Sequence, residues 1–380
     1  MKKSKRASIS CVLEDTFTLS TRMTLFERMQ VEDHEQVVFC TDRNAGLTAL
    51  IAIHDTTLGP ALGGIRMRAY ASEDDAVTDA LRLSQAMTYK ASLAGLEYGG
   101  GKAVVVANQP VTNREIVFRA LGRAIESLAG RYIPTEDMGT TTADIEHVRA
   151  EGRFGVGRAE VFGGGGDPSP MTAWGIFCGL RACLEETDGK AEFQGRTVVL
   201  PGLGKVGYSL AQYLHQAGVR LIVADVDAAR ADKAKAELSA AIVDPTDILT
   251  QQCDILAPCA AGGIFNPETI PRLRCRIIGG GANNQLLTEE DGDALHARGI
   301  LYAPDFAINA GGLINVADEL GPGGYRRERA KAKTEQIYST LKTLFAQARQ
   351  RDTPPHRLAA TLAQERIQAV RNLRRLNAAS

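Results

Sequence analysis

A glycine pattern in the middle of the chain limits the possible folds more than any other feature. Gly202, Gly204 and Gly207 form a G-x-G-x-x-G motif that follows the apolar run TVVLP and opens a segment with helical spacing. A second apolar run, VRLIVAD, ends in Asp225, about 20 residues after the motif. This order of strand, glycine turn, helix, strand and acid is typical of a dinucleotide-binding βαβ unit.

Each part of the motif has a physical role in holding a dinucleotide. The first glycine permits a tight turn, the second lets backbone approach the pyrophosphate, and the third lets helix and strand pack closely. The pyrophosphate then lies at the positive N-terminus of the helix. The sequence therefore predicts cofactor contacts from Gly202, Leu203, Gly204, Lys205, Val206 and Gly207.

Asp225 predicts which dinucleotide is bound. Its carboxylate can accept hydrogen bonds from the ribose hydroxyls and would repel a 2′-phosphate. The four residues after it, Val226, Asp227, Ala228 and Ala229, include no arginine that could neutralise such a phosphate. We therefore expect NAD rather than NADP. A βαβ unit whose glycines serve packing alone is the less favoured alternative.

Regular alternation of strands and helices is confined to the second half of the chain. Three further short apolar runs, CDILAPC, CRIIGGG and ILYAPD, each follow a helical or polar segment, which is typical of a doubly wound parallel sheet. The first half has strand-like runs around glycine turns, and a helix whose start is marked by Ser72 and Asp75. Residues 162–175, with five glycines and two prolines, suggest a linker. We predict an α/β protein with two domains, the second of Rossmann type.

Charge and composition exclude several functional classes. Lys and Arg number 44 against 45 Asp and Glu, so there is no overall attraction to nucleic acid or anionic lipid. No apolar run approaches the ~18 residues of a membrane span, and Glu14 and Asp15 interrupt any signal sequence. Seven cysteines without CxxC spacing and six histidines without metal-ligand spacing predict free thiols in a reducing cytoplasm and no metal site.

Two lysines of the first half have unusual surroundings. Lys102 follows three glycines and precedes the apolar run AVVV, which predicts partial burial, and Lys90 lies at the expected end of a helix. Burial lowers the pKa of a lysine and makes it a candidate general base near neutral pH. Asp137, in the run TEDMGTT, could cap a helix or take part in catalysis, and the residues alone favour capping.

Taken together, these segments resemble the leucine, phenylalanine and valine dehydrogenases of the glutamate dehydrogenase superfamily, with leucine dehydrogenases the nearest in appearance. The segments are GPALGGIRM, DALRLSQAMTYK, GGGKAVV, EDMGTT, CDILAPCA, GGGANNQL and APDFAINAGGLINVADEL, and the match runs from about Met23 to the C-terminus. The resemblance implies reversible, NAD-dependent oxidative deamination of an L-amino acid to a 2-oxo acid, ammonia and NADH. It also implies a homo-oligomer that binds neither nucleic acid nor membranes.

The resemblance implies roles for individual residues. Lys102 matches the general base that activates water, and Asp137 matches the carboxylate that moves a proton to and from the substrate nitrogen. Lys90 matches the lysine that pairs with the substrate α-carboxylate, helped by the backbone of Gly63 and Gly64. This assignment favours catalysis over capping for Asp137.

The resemblance also implies the domain organisation. Thr172 and Asn283 match positions near the nicotinamide and its ribose, and the substrate is expected in a cleft between an N-terminal α/β substrate domain and the Rossmann-type domain. The expected boundaries are a disordered lead-in over 1–22, a substrate-binding and oligomerisation domain over 23–160, the NAD-binding domain over 161–340, and C-terminal helices returning to the first domain over 341–380.

Leu62 indicates an apolar substrate. Glutamate dehydrogenases have a lysine at this place in the motif, where it meets the side-chain carboxylate, and a carboxylate desolvated against leucine would cost several kcal/mol. We expect Leu62, Ala307 and Leu313 to line the side-chain pocket and a branched-chain, leucine-like substrate to fill it. An aromatic substrate is the alternative, because Leu313 resembles phenylalanine dehydrogenases and Ala307 would enlarge the pocket. Thr135 departs from the small residue expected there.

Two other functional classes are less favoured. A catalytically inactive NAD-binding homologue is disfavoured because Lys90, Lys102 and Asp137 are all present. A 2-hydroxy-acid dehydrogenase would need a histidine–acid pair beside a substrate arginine, and the sequence has no convincing candidate.

Overall fold

A computed structural model describes residues 23–378, which form two α/β halves facing each other across a cleft. The lead-in expected over residues 1–22 lies outside the described residues. Each half contains one sheet, and the second sheet is entirely parallel, which confirms the predicted α/β class with a Rossmann-type second part.

The first sheet has five strands in the order β1-β2-β4-β3-β5. Strand β3 pairs parallel with both β4 and β5, whereas β2 pairs antiparallel with β1 and β4. Ile65 of β3 is in register with Ala103 of β4 and Glu136 of β5, so the residues that follow these positions come together at one edge of the sheet. The strands are β1 (Gln36–Asp42), β2 (Leu47–Asp55), β3 (Ala61–Arg68), β4 (Gly99–Val106) and β5 (Tyr132–Glu136).

Helices cover both faces of this sheet. Phe118 and Ile145 pack against one face, and Leu81 packs against the other. The Ser72 hydroxyl accepts a hydrogen bond from the backbone N–H of Asp75 at 3.1 Å, which confirms the predicted helix start. The helices of this half are α1 (Leu25–Val31), α2 (Glu73–Leu93), α3 (Arg114–Ser127) and α4 (Thr142–Arg149).

The second sheet has six strands in the order β11-β10-β9-β6-β7-β8. Its predicted strands are confirmed as β6 (Thr197–Pro201), β7 (Arg220–Ala224), β9 (Ile255–Leu256), β10 (Ile277–Ile278) and β11 (Leu301–Tyr302). The edge strand β8 (Ala241–Ile242) was not predicted, because it is two residues long and both are exposed. The helices are α5 (Ser169–Asp188), α6 (Lys205–Gln216), α7 (Ala228–Leu238), α8 (Glu289–Ala297), α9 (Asp305–Ile308), α10 (Gly311–Asp318) and α11 (Arg327–Arg351).

The glycine-rich connection between the halves is shorter than predicted. We expected a linker over residues 162–175, but helix α5 already begins at Ser169. Pro170 occupies the second helical position, where its missing N–H costs no intrahelical hydrogen bond. The carboxylate of Glu319 holds the connection by accepting the backbone N–H of Gly165 at 2.7 Å and of Gly157 at 3.1 Å.

The last helix, α12 (Pro355–Ala378), packs on α2 of the first half. The Ser92 hydroxyl donates to the carbonyl of Ala363 at 3.0 Å, and Arg366 donates to the carbonyl of Ser92 at 2.9 Å. Within residues 23–378 no helix combines the length and apolar character that crossing a bilayer requires. The six cysteines of this part of the chain are free thiols.

Candidate active site

A cavity of about 520 Å³ lies in the cleft. Its walls come from both halves, with α2, β4 and the end of β5 on one side and α6, α9 and α10 on the other. Charged side chains from both halves line it: Lys90, Lys102, Glu136, Asp137, Lys205 and Asp305.

Lys102 and Asp137 form the most buried ion pair of this cavity. Nζ of Lys102 donates to Oδ2 of Asp137 at 2.7 Å, and the lysine side chain is 4% exposed. Burial lowers the pKa of Lys102, and the nearby charge of Arg66 lowers it further, whereas Asp137 opposes the shift. The predicted burial of Lys102 is therefore confirmed.

Asp137 does not cap a helix. The N-cap of α4 is Thr141, which forms a capping box with Asp144, so the capping alternative for Asp137 was wrong. Burial alone would raise the pKa of Asp137, but the charges of Lys102 and Arg66 outweigh burial and hold this pKa well below its usual range. The carboxylate is thus ionised.

Lys90 faces the second half across the cleft. Its Nζ donates to Oδ1 of Asn283 at 3.2 Å, and Nδ2 of Asn309 donates to the same oxygen at 2.9 Å. Burial lowers the pKa of Lys90 to about 8, an effect that the charge of Asp305 opposes. A buried lysine with one neutral partner retains donors for a carboxylate.

Glycines let the side chains of Lys102 and Asp137 approach the backbone of β3. A Cβ atom on Gly64 would lie 2.6 Å from Cβ of Asp137 and 3.2 Å from Nζ of Lys102, so only glycine fits. Gly64 lines the cavity, whereas Gly63 does not. The carbonyls of both glycines already accept the hydroxyl of Tyr132, at 2.8 and 3.1 Å.

The apolar end of the cavity differs in part from expectation. Met87, Leu313 and Val316 line it and belong to one hydrophobic cluster. Leu62 is fully buried behind this wall, packed in the same cluster, so it does not line the cavity. Ala307 also lies elsewhere, in the core of the second half, because the short helix α9 turns it toward α5 and α11.

Thr135, which the sequence shows to be larger than the residue expected there, occupies space at the apolar end of the cavity. The side chain lines the cavity, but its hydroxyl is buried and has no hydrogen-bond partner among the residues that the structure describes. A Cβ on Gly157 would lie 2.6 Å from this hydroxyl and 3.6 Å from Val316, so Thr135 fills space beside the apolar wall. Thr135 therefore makes this end of the cavity narrower than a smaller residue would.

The dinucleotide motif has the geometry that its sequence predicts. Gly202 has φ of +94°, Gly204 is the N-cap of α6, and a Cβ on Gly207 would lie 2.0 Å from the carbonyl of Gly202. The N-terminus of α6 therefore opens without a capping side chain, as pyrophosphate binding needs. Leu203 donates its backbone N–H to Oδ2 of Asp225 at 2.6 Å, which fixes the acid beside the loop.

An apolar cavity of about 220 Å³ adjoins this acid and is lined by Val226, Pro245, Ile248 and Leu249 among others. The glycine loop, the carboxylate of Asp225 and this apolar cavity together suit the adenosine half of a dinucleotide. Lys205 and Val206 line the first cavity, and Nζ of Lys205 lies 3.1 Å from Asp167.

Thr172 lines the first cavity as well. Its hydroxyl donates to the carbonyl of Pro168 one turn earlier at 3.0 Å, and it is 2.4 Å from where a Cβ on Gly312 would stand. The structure thus brings Thr172, Asn283 and Lys205 to the same cavity as the two lysines and Asp137. Within residues 23–378 no cluster of three or more possible metal ligands occurs.

Sequence reasoning missed four residues of this region. Arg66 and Asp305 approach the site from β3 and α9, and their role depends on contacts that local sequence does not reveal. Asn309 directly precedes the run AGG in a quoted segment but was not singled out. Arg230 comes one residue after the four that were searched for an arginine, and its Nη1 lies 4.0 Å from Asp225.

Two protein-family models match most of the chain. The family model described as Glu/Leu/Phe/Val dehydrogenase, dimerisation domain, matches residues 34–153, and the model described as Glutamate/Leucine/Phenylalanine/Valine dehydrogenase matches residues 223–375. The chain is 49% identical over 352 residues to leucine dehydrogenase of Geobacillus stearothermophilus, covering 93% of this chain and 95% of that one.

Two relatives with other names are nearly as similar. Phenylalanine dehydrogenase of Bacillus thermotolerans is 46% identical over 351 residues, covering 91% of each chain. The crystal structure of L-tryptophan dehydrogenase from Nostoc punctiforme superposes with a TM-score of 0.78 at 42% identity, covering 92% of this chain and 100% of that one. Relatives of similar identity thus differ in the size of their named substrate.

Proposed function

The chain belongs to the glutamate/leucine/phenylalanine/valine dehydrogenase family of nicotinamide-nucleotide-dependent amino acid dehydrogenases, and we propose that it oxidises branched-chain, leucine-like L-amino acids with NAD. The overall reaction converts the L-amino acid, NAD⁺ and water to the 2-oxo acid, NADH, ammonium and one proton. The observation that carries the substrate proposal is the apolar wall of Met87, Leu313 and Val316 beside Lys90.

Each catalytic group has a position that suits one step. Protonated Lys90 binds the substrate α-carboxylate, and the ionised carboxylate of Asp137 attracts the substrate amino group. The nicotinamide ring supplies the acceptor for the α-hydride when the cofactor is bound. Lys102, with a pKa lowered by burial, takes a proton from the water that adds to the resulting imine. Asp137 takes a proton from the substrate ammonium before the hydride leaves, and it later returns a proton to the nitrogen of the carbinolamine. The carbinolamine hydroxyl loses its proton as ammonia departs and the 2-oxo acid forms.

NAD is the proposed dinucleotide because Asp225 is nearly buried, with 6% of its side chain exposed, beside the glycine loop. A 2′-phosphate placed there would meet a carboxylate. Arg230 lies close enough to offset part of the negative charge of Asp225. It is also paired with Asp227 at 3.2 Å, so its positive charge is shared between two acids.

An aromatic substrate is a second candidate. The identity to phenylalanine dehydrogenase, 46%, is close to that for leucine dehydrogenase, and Leu313 is the residue that resembles the aromatic enzymes. Thr135 favours a branched-chain substrate over an aromatic one, because it narrows the cavity at its apolar end.

We also propose that the protein acts as a homo-oligomer in the cytoplasm. The first matched model is described as a dimerisation domain, and among the described residues strand β1 lies at an edge of the first sheet with Phe39 half exposed. The free cysteines of residues 23–378 are compatible with a reducing compartment.

Initial rates of NAD reduction with L-leucine, L-isoleucine, L-valine, L-phenylalanine, L-tryptophan and L-glutamate test the substrate proposal. We expect the branched-chain substrates to have the highest kcat/KM and glutamate to be more than about tenfold poorer, because its second carboxylate would be desolvated against an apolar wall. Glutamate within tenfold of the best apolar substrate would contradict the proposal. A clear preference for phenylalanine over leucine would favour the second candidate.

A further inference from the structure

Arg66 joins two carboxylates behind the cleft. Its side chain is 10% exposed, and its Nε donates to Oδ2 of Asp137 at 2.9 Å. Its Nη1 lies 3.1 Å from both carboxylate oxygens of Asp79 on α2. The hydroxyl of Tyr70 in turn donates to Asp79 at 2.7 Å. The guanidinium is therefore held at both ends, since it bonds one acid in the site and one acid behind it.

The two oxygens of Asp137 are used differently. Oδ2 accepts both Nζ of Lys102, at 2.7 Å, and Nε of Arg66, at 2.9 Å. Oδ1 accepts no hydrogen bond from any residue between 23 and 378. Two cations on one oxygen fix the orientation of the carboxylate and leave the other oxygen available.

We propose that Arg66 is a positioning residue for the deamination, which orients Asp137 through Oδ2 so that Oδ1 meets the substrate nitrogen, and that Asp79 anchors Arg66 in this role. The proposal rests on the proposed function, because it assigns the nitrogen of the substrate to Asp137. Sequence position gives no indication of it, since Arg66 and Asp137 are 71 positions apart.

The same geometry links Arg66 to the protonation of Lys102. The charged groups that act on Lys102 are Asp137 after β5, Arg66 on β3, and Asp79 and Lys90 on α2, whereas Asp305 on α9 acts on Lys90. Burial lowers the pKa of Lys102 first, the charge of Arg66 lowers it further, and Asp137 and Asp79 raise it.

Removing Arg66 or Asp79 should therefore shift the pKa of Lys102 in opposite directions. At low pH, kcat/KM for oxidation falls because Lys102 becomes protonated, and we call this part of the profile the acid limb. Without the Arg66 charge, Lys102 holds its proton to higher pH, so the acid limb moves to higher pH. Without the Asp79 charge, the acid limb moves to lower pH. We expect shifts of about half a pH unit or more for charges this close. The amine of the free substrate titrates identically with every variant.

The experiment compares Arg66→Gln, Arg66→Lys and Asp79→Asn with the wild type, using the L-amino acid that the wild type oxidises fastest. Arg66→Gln should lower kcat about tenfold or more, because Asp137 loses its orientation, and should move the acid limb to higher pH. Arg66→Lys keeps the charge but cannot bond both acids, so kcat should fall while the limb stays near the wild-type position. Asp79→Asn should move the limb to lower pH.

Arg28→Gln is the matched control. Arg28 has 12% of its side chain exposed and pairs with Asp74 of α2 at 2.7 Å, but it has no contact with Asp137. It should leave the acid limb unchanged. NADH binding, measured by fluorescence, reports whether each variant keeps a folded second half.

The inference is overturned if Arg66→Gln keeps the wild-type kcat, or if the limb stays in place or moves in the same direction in both Arg66→Gln and Asp79→Asn. Where Arg66→Gln does not fold, the kcat of Arg66→Lys and the direction of the shift in Asp79→Asn decide. Failure of the proposed function would be seen separately, as a wild type that oxidises glutamate within tenfold of the best apolar amino acid.

Discussion

Nζ of Lys90 lies 3.2 Å from Oδ1 of Asn283, although the two residues are 193 positions apart in the chain. Lys90 is in the last turn of α2 beside the first sheet, and Asn283 follows β10 of the second sheet. The lysine proposed for the substrate carboxylate is thus bonded to the half that contains the dinucleotide motif. Substrate binding and cofactor binding should therefore depend on the same closed arrangement of the two halves.

The first prediction concerns Lys102 as the general base. Lys102→Ala should retain NADH binding and lower kcat about 10²- to 10⁴-fold, the usual contribution of such a group. Steady-state rates and NADH fluorescence check it. Lys333→Ala is the control, because Lys333 is a half-buried lysine of α11 that lies outside the cavity. A Lys102→Ala variant within tenfold of wild-type kcat would exclude this residue as the base.

The second prediction concerns the charge of Lys90. Only the protonated amine binds a carboxylate strongly, and the pKa of Lys90 is lowered to about 8, so binding should weaken as the pH rises through this value. The inhibition constant of 4-methylpentanoate, which has a carboxylate but no amino group, should rise about tenfold per pH unit above it. This inhibitor separates Lys90 from the base that acts on the substrate.

Asp305→Asn should shift the pH dependence of 4-methylpentanoate inhibition. The Asp305 carboxylate accepts the backbone N–H of Asn284, and an amide oxygen can still accept this bond, so mainly the charge is lost. Because this charge raises the pKa of Lys90, its removal should lower that pKa. Inhibitor binding should then begin to weaken at a lower pH than in the wild type. Asp291→Asn, at a buried acid that caps α8, should leave the profile unchanged. Coincident profiles for Asp305→Asn and wild type would contradict the role of Asp305.

How far the sequence could predict this site depends on the distance over which each feature acts. The glycine loop and Asp225 lie within one βαβ unit, so local spacing was sufficient to place them. The burial of Lys102 followed from its flanking residues. The roles of Lys90, Lys102 and Asp137 came from the family resemblance and remain predictions.

Features that depend on depth or on distant contacts were not predicted. Leu62 occupies the expected motif, but nothing in its neighbours reveals that it packs behind Leu313 rather than beside the substrate. Arg66 reaches Asp137 only because β3 and β5 are adjacent parallel strands. The start of α5 was missed because prolines and glycines suggested a linker, whereas Pro170 fits the first turn of a helix.

The third prediction concerns cofactor choice. The wild type should prefer NAD, and Asp225→Ser should raise kcat/KM for NADP relative to NAD by about tenfold or more. A single substitution should be sufficient because Arg230 already lies 4.0 Å from Asp225 and can meet the 2′-phosphate. The double variant Asp225→Ser/Arg230→Ala should lose most of this gain. A wild type that uses both dinucleotides equally would contradict the interpretation of Asp225.

The last prediction concerns the size of the substrate pocket. Thr135 narrows the apolar end, so Thr135→Ala should open it toward larger side chains. Since one methylene in such a pocket is worth ~1–3 kcal/mol, the ratio of kcat/KM for phenylalanine over leucine should rise about tenfold. Thr135→Val is the matched control, because valine keeps the shape of the side chain and replaces a buried hydroxyl that has no hydrogen-bond partner within residues 23–378.

Thr135→Val should therefore preserve the wild-type ratio while raising the free energy of unfolding by about 1 kcal/mol, because burying an unpaired hydroxyl costs roughly this much. Denaturant unfolding of both variants, measured alongside the kinetics, separates pocket size from stability. If Thr135→Ala and Thr135→Val changed the substrate ratio equally, the hydroxyl rather than the volume of Thr135 would determine specificity. If neither changed it, Thr135 would not shape the pocket, and the preference would have to come from the wall of Met87, Leu313 and Val316 alone.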